Sequence, residues 1–333
     1  MSPEPAPDSN SILEVADLAK HFAIKRGLAG ALRRAPERAV RAIDGVSFEL
    51  RRGEVLALVG ESGCGKTTTA LSVLGLVEPS GGTVRFEGRP LHETLRRDRS
   101  LRQAIQMVFQ DPYESLNPRM TVTELVAEPL EVHHLFANQE EKRRKVITAL
   151  EEVGLRPANE FINRLPHELS GGQRQRVVIA AALVTGPRLL VADEPVSMLD
   201  VSIRAEILLL LNELRRRHQI SILFITHDLA TAALFADRIA VMYLGRIVEI
   251  GSASAVLENP LHPYTKALLS VIPNPDPRHK RKRVILQGET PNPADIPPGC
   301  RFHPRCPLAV EACRGTDPWL ELKQGHEVAC IRV

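Results

Sequence analysis

Residues 60–67 read GESGCGKT, a Gly-x-x-x-x-Gly-Lys-Thr string fixed by Gly60, Gly65, Lys66 and Thr67. Glycines let backbone N–H groups turn inward around phosphate oxygens, and a helix opening behind them adds positive potential. In that chemistry Lys66 bridges the β- and γ-phosphates and the Thr67 hydroxyl ligates Mg2+. Cys64 lies inside the loop and reads as a small residue tolerated there. A second group ends an apolar run: Leu189, Leu190, Val191 and Ala192 lead into Asp193 and Glu194. A buried strand ending in two carboxylates brings charge to the sheet edge where ligands bind in parallel sheets. Asp193 suits the Mg2+ shell, and Glu194 suits a general base that polarises an attacking water. Residues 169–173 read LSGGQ, where Ser170 and two bare glycines open a helix and offer a second anion site.

These groups need elements to hold them. Residues 55–59 form a strand and 67–76 a helix, the context a phosphate loop requires. From 12 to 58 the text reads as short strands, ILEVADL, VRAIDGVSFEL and EVLALVG, with a basic loop at 25–41 between the first two. TVRFE at 83–87 adds another. Between 121 and 165 apolar residues recur at helical spacing (Val122, Leu125, Val126, then Val146, Ile147, Leu150), which predicts an all-helical insert. From 187 onward strands and helices alternate, as in a largely parallel α/β sheet.

Composition sets the outer bounds. The chain has 333 residues, 44% hydrophobic and 25% charged, which excludes a disordered or fibrous protein and suggests two domains or one with appendages. A net charge of +3 gives no reason to expect nucleic acid. No apolar run is long enough for a bilayer, and the first residues lack the pattern of a signal peptide, so a cytoplasmic location is expected. Twelve of the 25 prolines fall between 260 and 318. A segment that rich in proline is expected to form an appended tail and not to continue a sheet. Residues 1–10, polar and proline-rich, are expected to be disordered.

Taken in order, the motifs resemble those of the ABC-type ATPases over about residues 11–258. Gln110 in MVFQDP matches that family's Q-loop, residues 197–200 its D-loop (with Met198 where Ala is usual), and His227 in FITHD its switch histidine. The resemblance implies an α/β fold: a P-loop NTPase core of mostly parallel sheet, an antiparallel β subdomain, and a helical subdomain at about 111–172. It implies that Lys66, Gln110, Glu194 and His227 serve catalysis, and that Thr67, Gln110 and Asp193 hold Mg2+. Phe22 would stack on adenine, with His21 as competitor. Gly60, Ser62, Gly63, Cys64, Gly65, Lys66, Thr67 and Thr68 would hold one ATP. Ser170, Gly171, Gly172 and Gln173 would close over the ATP of a partner subunit.

The tail adds a finer likeness. NPLHPYTKALL, GETPNPADIPPGC and the earlier FQDPYESLNPRMTV resemble oligopeptide and dipeptide importer ATPases, more the second than the first of their paired subunits. That implies a sister ATPase, two transmembrane permease subunits, an extracytoplasmic peptide-binding protein, and a peripheral place on the cytoplasmic face of the membrane. Nickel importers of the same family, and non-transport ABC proteins, are the alternatives. Residues 259–333 would form the C-terminal extension. Its cysteines, Cys300, Cys306, Cys313 and Cys330, follow C-x5-C-x6-C-x16-C. Four thiolates in so short a span suit a 4Fe–4S cluster or Zn2+, and some relatives carry the cluster. The basic run at 278–283 reads as a solvated linker, with anionic lipid headgroups as an alternative partner.

Overall fold

The computed structural model describes residues 10–24, 39–98, 100–272 and 284–333. Residues 1–9, the basic loop from 25 to 38, and the basic run at 278–283 lie outside the described residues. The chain divides into two compact units. One comprises Met1–Ile12, Leu50–Val55 and Arg89–Ile225; the other comprises Leu13–Glu49, Leu56–Gly88 and Thr226–Val333.

In the first unit three parallel strands, Ile105–Val108, Leu189–Asp193 and Ser221–Thr226, align with Ile105 beside Leu189 and Leu189 beside Ser221. The second and third are buried along their whole length, as parallel strands covered on both faces must be. Between the first two strands the chain forms helices Val122–Val132, Gln139–Glu152 and Gly171–Leu183, which pack on one another. Their starts are written in the sequence. Thr121 Oγ1 accepts from Glu124 N at 3.3 Å while Glu124 accepts from Thr121 N at 2.7 Å, and Asn138 accepts from Glu141 N at 2.9 Å. Val122, Leu125, Val126, Val146 and Leu150 are buried, on the helical period expected of this insert.

In the second unit Ala39–Arg51, Ser11–Ala23 and Gly81–Phe86 lie side by side. The last two are antiparallel, with Leu13 opposite Phe86. In the same unit Val55–Val59 runs parallel to Arg238–Tyr243, which pairs antiparallel with Arg246–Ser252. No helix among the described residues is long and apolar enough to cross a membrane.

The tail departs from expectation. His326–Val328 pairs antiparallel with Arg246–Ser252, and Glu321–Lys323 pairs with His326–Val328, so the tail does continue a sheet. Proline cannot donate into a strand ladder, but the last proline is Pro318, and the hairpin lies beyond it. Gln324 and Gly325 close the turn with φ of 48° and 99°, both positive as a two-residue turn between twisted strands requires.

Two features fix this tail. The Glu249 carboxylate, fully buried, accepts hydrogen bonds from the N–H groups of Leu261 (2.6 Å) and His262 (3.0 Å) and lies 2.7 Å from His326 Nε2. Beside it the rings of Tyr243, Tyr264, His262 and Phe302 meet at centroid distances of 4.8 to 5.5 Å. Burial drives the His262 imidazole down to about 3, so it stays neutral at physiological pH. Removing a buried acceptor strands its donors without water. Glu249→Ala is therefore expected to cost about 3 kcal/mol in urea unfolding and to loosen residues 321–333 to proteolysis. An unchanged midpoint would show the carboxylate to be dispensable.

Candidate functional site

The phosphate loop leaves the strand Val55–Val59 and ends in the helix Lys66–Val73. Gly65, at the helix start, has φ 110°, and a Cβ there would collide with the Ala42 carbonyl. A side chain is excluded twice over, by torsion and by space. Lys66 folds back along the loop, its Nζ donating to Gly60 O at 2.7 Å and Glu61 O at 3.1 Å. The ammonium thus sits inside the turn, held by carbonyls that a bound phosphate oxygen could replace. Ser62, Gly63 and Thr67 are exposed, and Thr68 is half-buried. Cys64 is buried; desolvation raises its thiol pKa, although Lys66 Nζ at 3.8 Å pulls the other way.

Glu61, the second residue of the loop, was not singled out from the sequence, yet it has a dense set of partners. Its N–H donates to the Tyr264 hydroxyl at 2.9 Å. Its carboxylate accepts from Arg305 Nη1 (2.8 Å), Arg305 Nη2 (3.2 Å) and Thr290 Oγ1 (2.6 Å). Burial alone would push this carboxyl up; the Arg305 and Thr290 bonds outweigh it and hold Glu61 below the usual carboxylate range.

In the same unit Phe22 stands exposed near the end of Ser11–Ala23, with Lys20 Nζ 5.1 Å from its ring centre. His21 is otherwise engaged, its Nε2 3.0 Å from Asp44 Oδ1, and Arg301 binds the other oxygen of that aspartate. His227 is exposed just past the strand Ser221–Thr226. Asp228, next in sequence, caps the helix Leu229–Phe235 by accepting from Ala230 N at 2.9 Å.

In the first unit the acidic strand end and the Q-loop residue meet. Gln110 Nε2 donates to Glu194 Oε2 at 3.2 Å. Glu194 has φ 46°, a left-handed backbone that non-glycine residues rarely adopt and that recurs at functional turns. The turn is braced: Glu194 N donates to Ile225 O at 2.8 Å, and Ser197 N and Oγ reach Glu194 O at 3.1 and 3.0 Å. Asp193 is buried at the strand end. Such a turn points the carboxylate of Glu194 away from the strand while the backbone stays paired.

The LSGGQ segment opens the helix Gly171–Leu183 as a capping box. Ser170 Oγ accepts from Gln173 N at 3.3 Å and Gln173 Oε1 accepts from Ser170 N at 3.0 Å. A Cβ on Gly172 would lie 2.8 Å from Ile203 Cγ2, so close packing onto Val201–His218 accounts for one of the two glycines. The Arg174 guanidinium lies 4.1 Å from the ring centre of Tyr113, a pairing with no signature in the sequence.

Cys300, Cys306, Cys313 and Cys330 line one cavity together with His262, Phe302 and Ile331. Burial pushes the Cys300 thiol up to about 11, and Cys306 is raised for the same reason. The donor set is that of a four-thiolate centre. The cavity they line is about 10 Å³, room for one water. Among the described residues no group of three or more His, Cys, Asp or Glu is arranged to hold a metal ion.

The chain is similar to known proteins along nearly its whole length. A family model described as ABC transporter covers residues 43–197, and one described as the oligopeptide/dipeptide transporter C-terminal region covers 248–313. The oligopeptide transport ATP-binding protein OppF of Salmonella typhimurium is 47% identical over 325 residues, spanning 97% of this chain and 96% of that protein. AppF of Bacillus subtilis, likewise an oligopeptide transport ATP-binding protein, is 46% identical over 332 residues, 98% of each. Among solved structures, cbiO1 of Clostridium perfringens, part of the ABC transporter complex cbiONQ, aligns with TM-score 0.63 at 30% identity, covering 75% of this chain and 92% of that one. An ATP-binding cassette solved as a dimer in a post-hydrolysis state bound to ADP and Pi aligns with TM-score 0.61 at 28% identity, covering 72% and 98%.

Proposed function

The chain belongs to the ABC transporter family, and from that premise we propose that it is the ATP-hydrolysing subunit that powers import of di- and oligopeptides. The observation that carries this reading is the reach of the likeness. It spans the ATPase motifs and the tail alike, over 97% of the chain against an oligopeptide transport protein. Residues 11–258 then serve as the nucleotide-binding domain, with 111–172 as its helical subdomain and 259–333 as the extension.

The residues divide the work. Lys66 exchanges the Gly60 and Glu61 carbonyls for the β- and γ-phosphate oxygens of ATP, while loop amides from Gly60 to Thr68 surround the chain of phosphates. Phe22 stacks on adenine; His21, tied to Asp44, is the weaker candidate. Thr67, Gln110 and Asp193 would hold Mg2+, which supplies positive charge to the phosphate oxygens. Gln110 can do this through its amide oxygen, because its amide nitrogen is committed to Glu194. Glu194 orients the attacking water and takes its proton, and His227 donates to the γ-phosphate. Ser170, Gly171, Gly172 and Gln173 complete the ATP site of a sister ATPase in a heterodimer.

Such a subunit works as a peripheral protein on the cytoplasmic face of the membrane, beneath two permease subunits and fed by a peptide-binding protein. The four tail cysteines would hold a 4Fe–4S cluster, with zinc as the alternative; no hydrolytic step passes through it. One preparation tests the whole reading. The complex purified without oxygen and placed in liposomes should hydrolyse ATP faster when the binding protein carries peptide, and should contain iron and sulfide lost in Cys306→Ser. Stimulation by nickel instead of peptide would replace the substrate. Zinc, or no metal, would remove the cluster while leaving transport standing.

A further inference from the structure

The phosphate loop is not held by its own strand and helix alone. Tyr264, Thr290 and Arg305 all come from the tail, 203, 229 and 244 residues beyond Glu61 in sequence. Together they engage both its backbone N–H and its carboxylate. The Arg305 contact is a fork, Nη1 to Oε2 at 2.8 Å and Nη2 to Oε1 at 3.2 Å, which fixes orientation as well as distance. Arg305 is itself locked: Nη1 also donates to Thr290 Oγ1 at 3.1 Å, its side chain is 9% exposed, and it lies 5.9 Å from the ring centre of the buried Tyr243. The carbonyl of Glu61 is in turn one of the two that hold Lys66 Nζ.

Two physical consequences follow. A loop that must place several amides around phosphate oxygens loses affinity when its backbone drifts by an ångström. A carboxylate one residue into such a loop also opposes a polyanion unless a cation neutralises it. Arg305 addresses both, anchoring Glu61 by its carboxylate while Tyr264 holds its N–H, and cancelling its charge. We propose that Arg305, acting through Glu61, is a positioning residue for the phosphate loop, so that the C-terminal extension sets the affinity for ATP. The inference rests on the ATP-binding reading given above.

The test is equilibrium binding of ATP to the full-length chain, in competition with a fluorescent ATP analogue, with KM and kcat measured on the assembled importer. Arg305→Ala should weaken ATP binding about tenfold and raise KM by a similar factor, with kcat little changed. Arg305→Lys should recover part of the loss by restoring the charge without the fork. Adding Glu61→Gln to Arg305→Ala should also recover part of it, because the uncompensated carboxylate is gone. A merely structural role predicts no such rescue. Val328→Ala, in the buried tail hairpin and away from the loop, should lower the melting temperature and leave ATP affinity unchanged.

Wild-type affinity in Arg305→Ala overturns the proposal, as does an equal loss of affinity in Val328→Ala. If Arg305→Ala fails to fold, Thr290→Val removes one bond to the same carboxylate and should weaken binding about threefold; unchanged affinity there overturns it too. A wild-type chain that binds no ATP would remove the ATPase reading, and this inference with it.

Discussion

Glu194→Gln should lower ATP turnover by about a thousandfold while leaving ATP affinity within about twofold. The substitution is chosen by the geometry. The Gln110 amide donates to Glu194 Oε2, and a glutamine there still presents a carbonyl oxygen to the same donor. The left-handed backbone at φ 46° strains Glu and Gln alike, and the bonds from Ser197 and to Ile225 engage only the main chain of Glu194. Shape and bracing survive; what is lost is the carboxylate's capacity to accept a proton from water. The variant should therefore bind ATP and stall, accumulating a nucleotide-bound closed dimer on size-exclusion chromatography when mixed with the sister ATPase proposed above. Turnover close to wild type would take Glu194 out of the role of base and require another acceptor.

Lys66→Met should act one step earlier, weakening ATP binding about a hundredfold or more. Lys66 is 6% exposed, and its ammonium has two duties in the structure. It cross-braces the loop through the Gly60 and Glu61 carbonyls, and it is the cation within the turn where phosphate charge would gather. Methionine keeps the apolar stem and removes both. Isothermal titration with ATP would separate the two variants: Glu194→Gln keeps the heat of binding, whereas Lys66→Met loses it. Affinity within threefold of wild type would place the phosphates elsewhere.

The phosphate loop, the acidic strand end, the Gly-Gly helix start and their order were legible because chemistry confines each to a short contiguous string. The insert between 121 and 165 was legible for a different reason, its helical periodicity, and its helix caps are local as well. What stayed hidden depends on residues far apart. No period or spacing connects Glu61 with Tyr264, Thr290 and Arg305, which meet only after the tail has folded back on its unit. The buried Glu249 is similar: its partners are 12, 13 and 77 residues away, and from sequence it is one acid in an apolar strand. The tail hairpin is hidden by averaging. The proline density of residues 260–318 dominates the composition of the whole segment, although the stretch after Pro318 has none and carries a Gln-Gly turn between alternating residues.

That hairpin has a consequence for how the chain survives on its own. Were Arg246–Ser252 the last strand of its sheet, it would offer a row of unpaired backbone groups to any other chain of similar character. His326–Val328 covers the middle of that row, at Glu249 and Ile250, and the edge there passes to Glu321–Lys323, only three residues long and ended by an exposed acid and a lysine that bonds the Cys330 carbonyl at 2.7 Å. A short, charged edge is a poor template for recruitment. The last dozen residues thus leave the sheet an edge that resists pairing with a second copy of the chain.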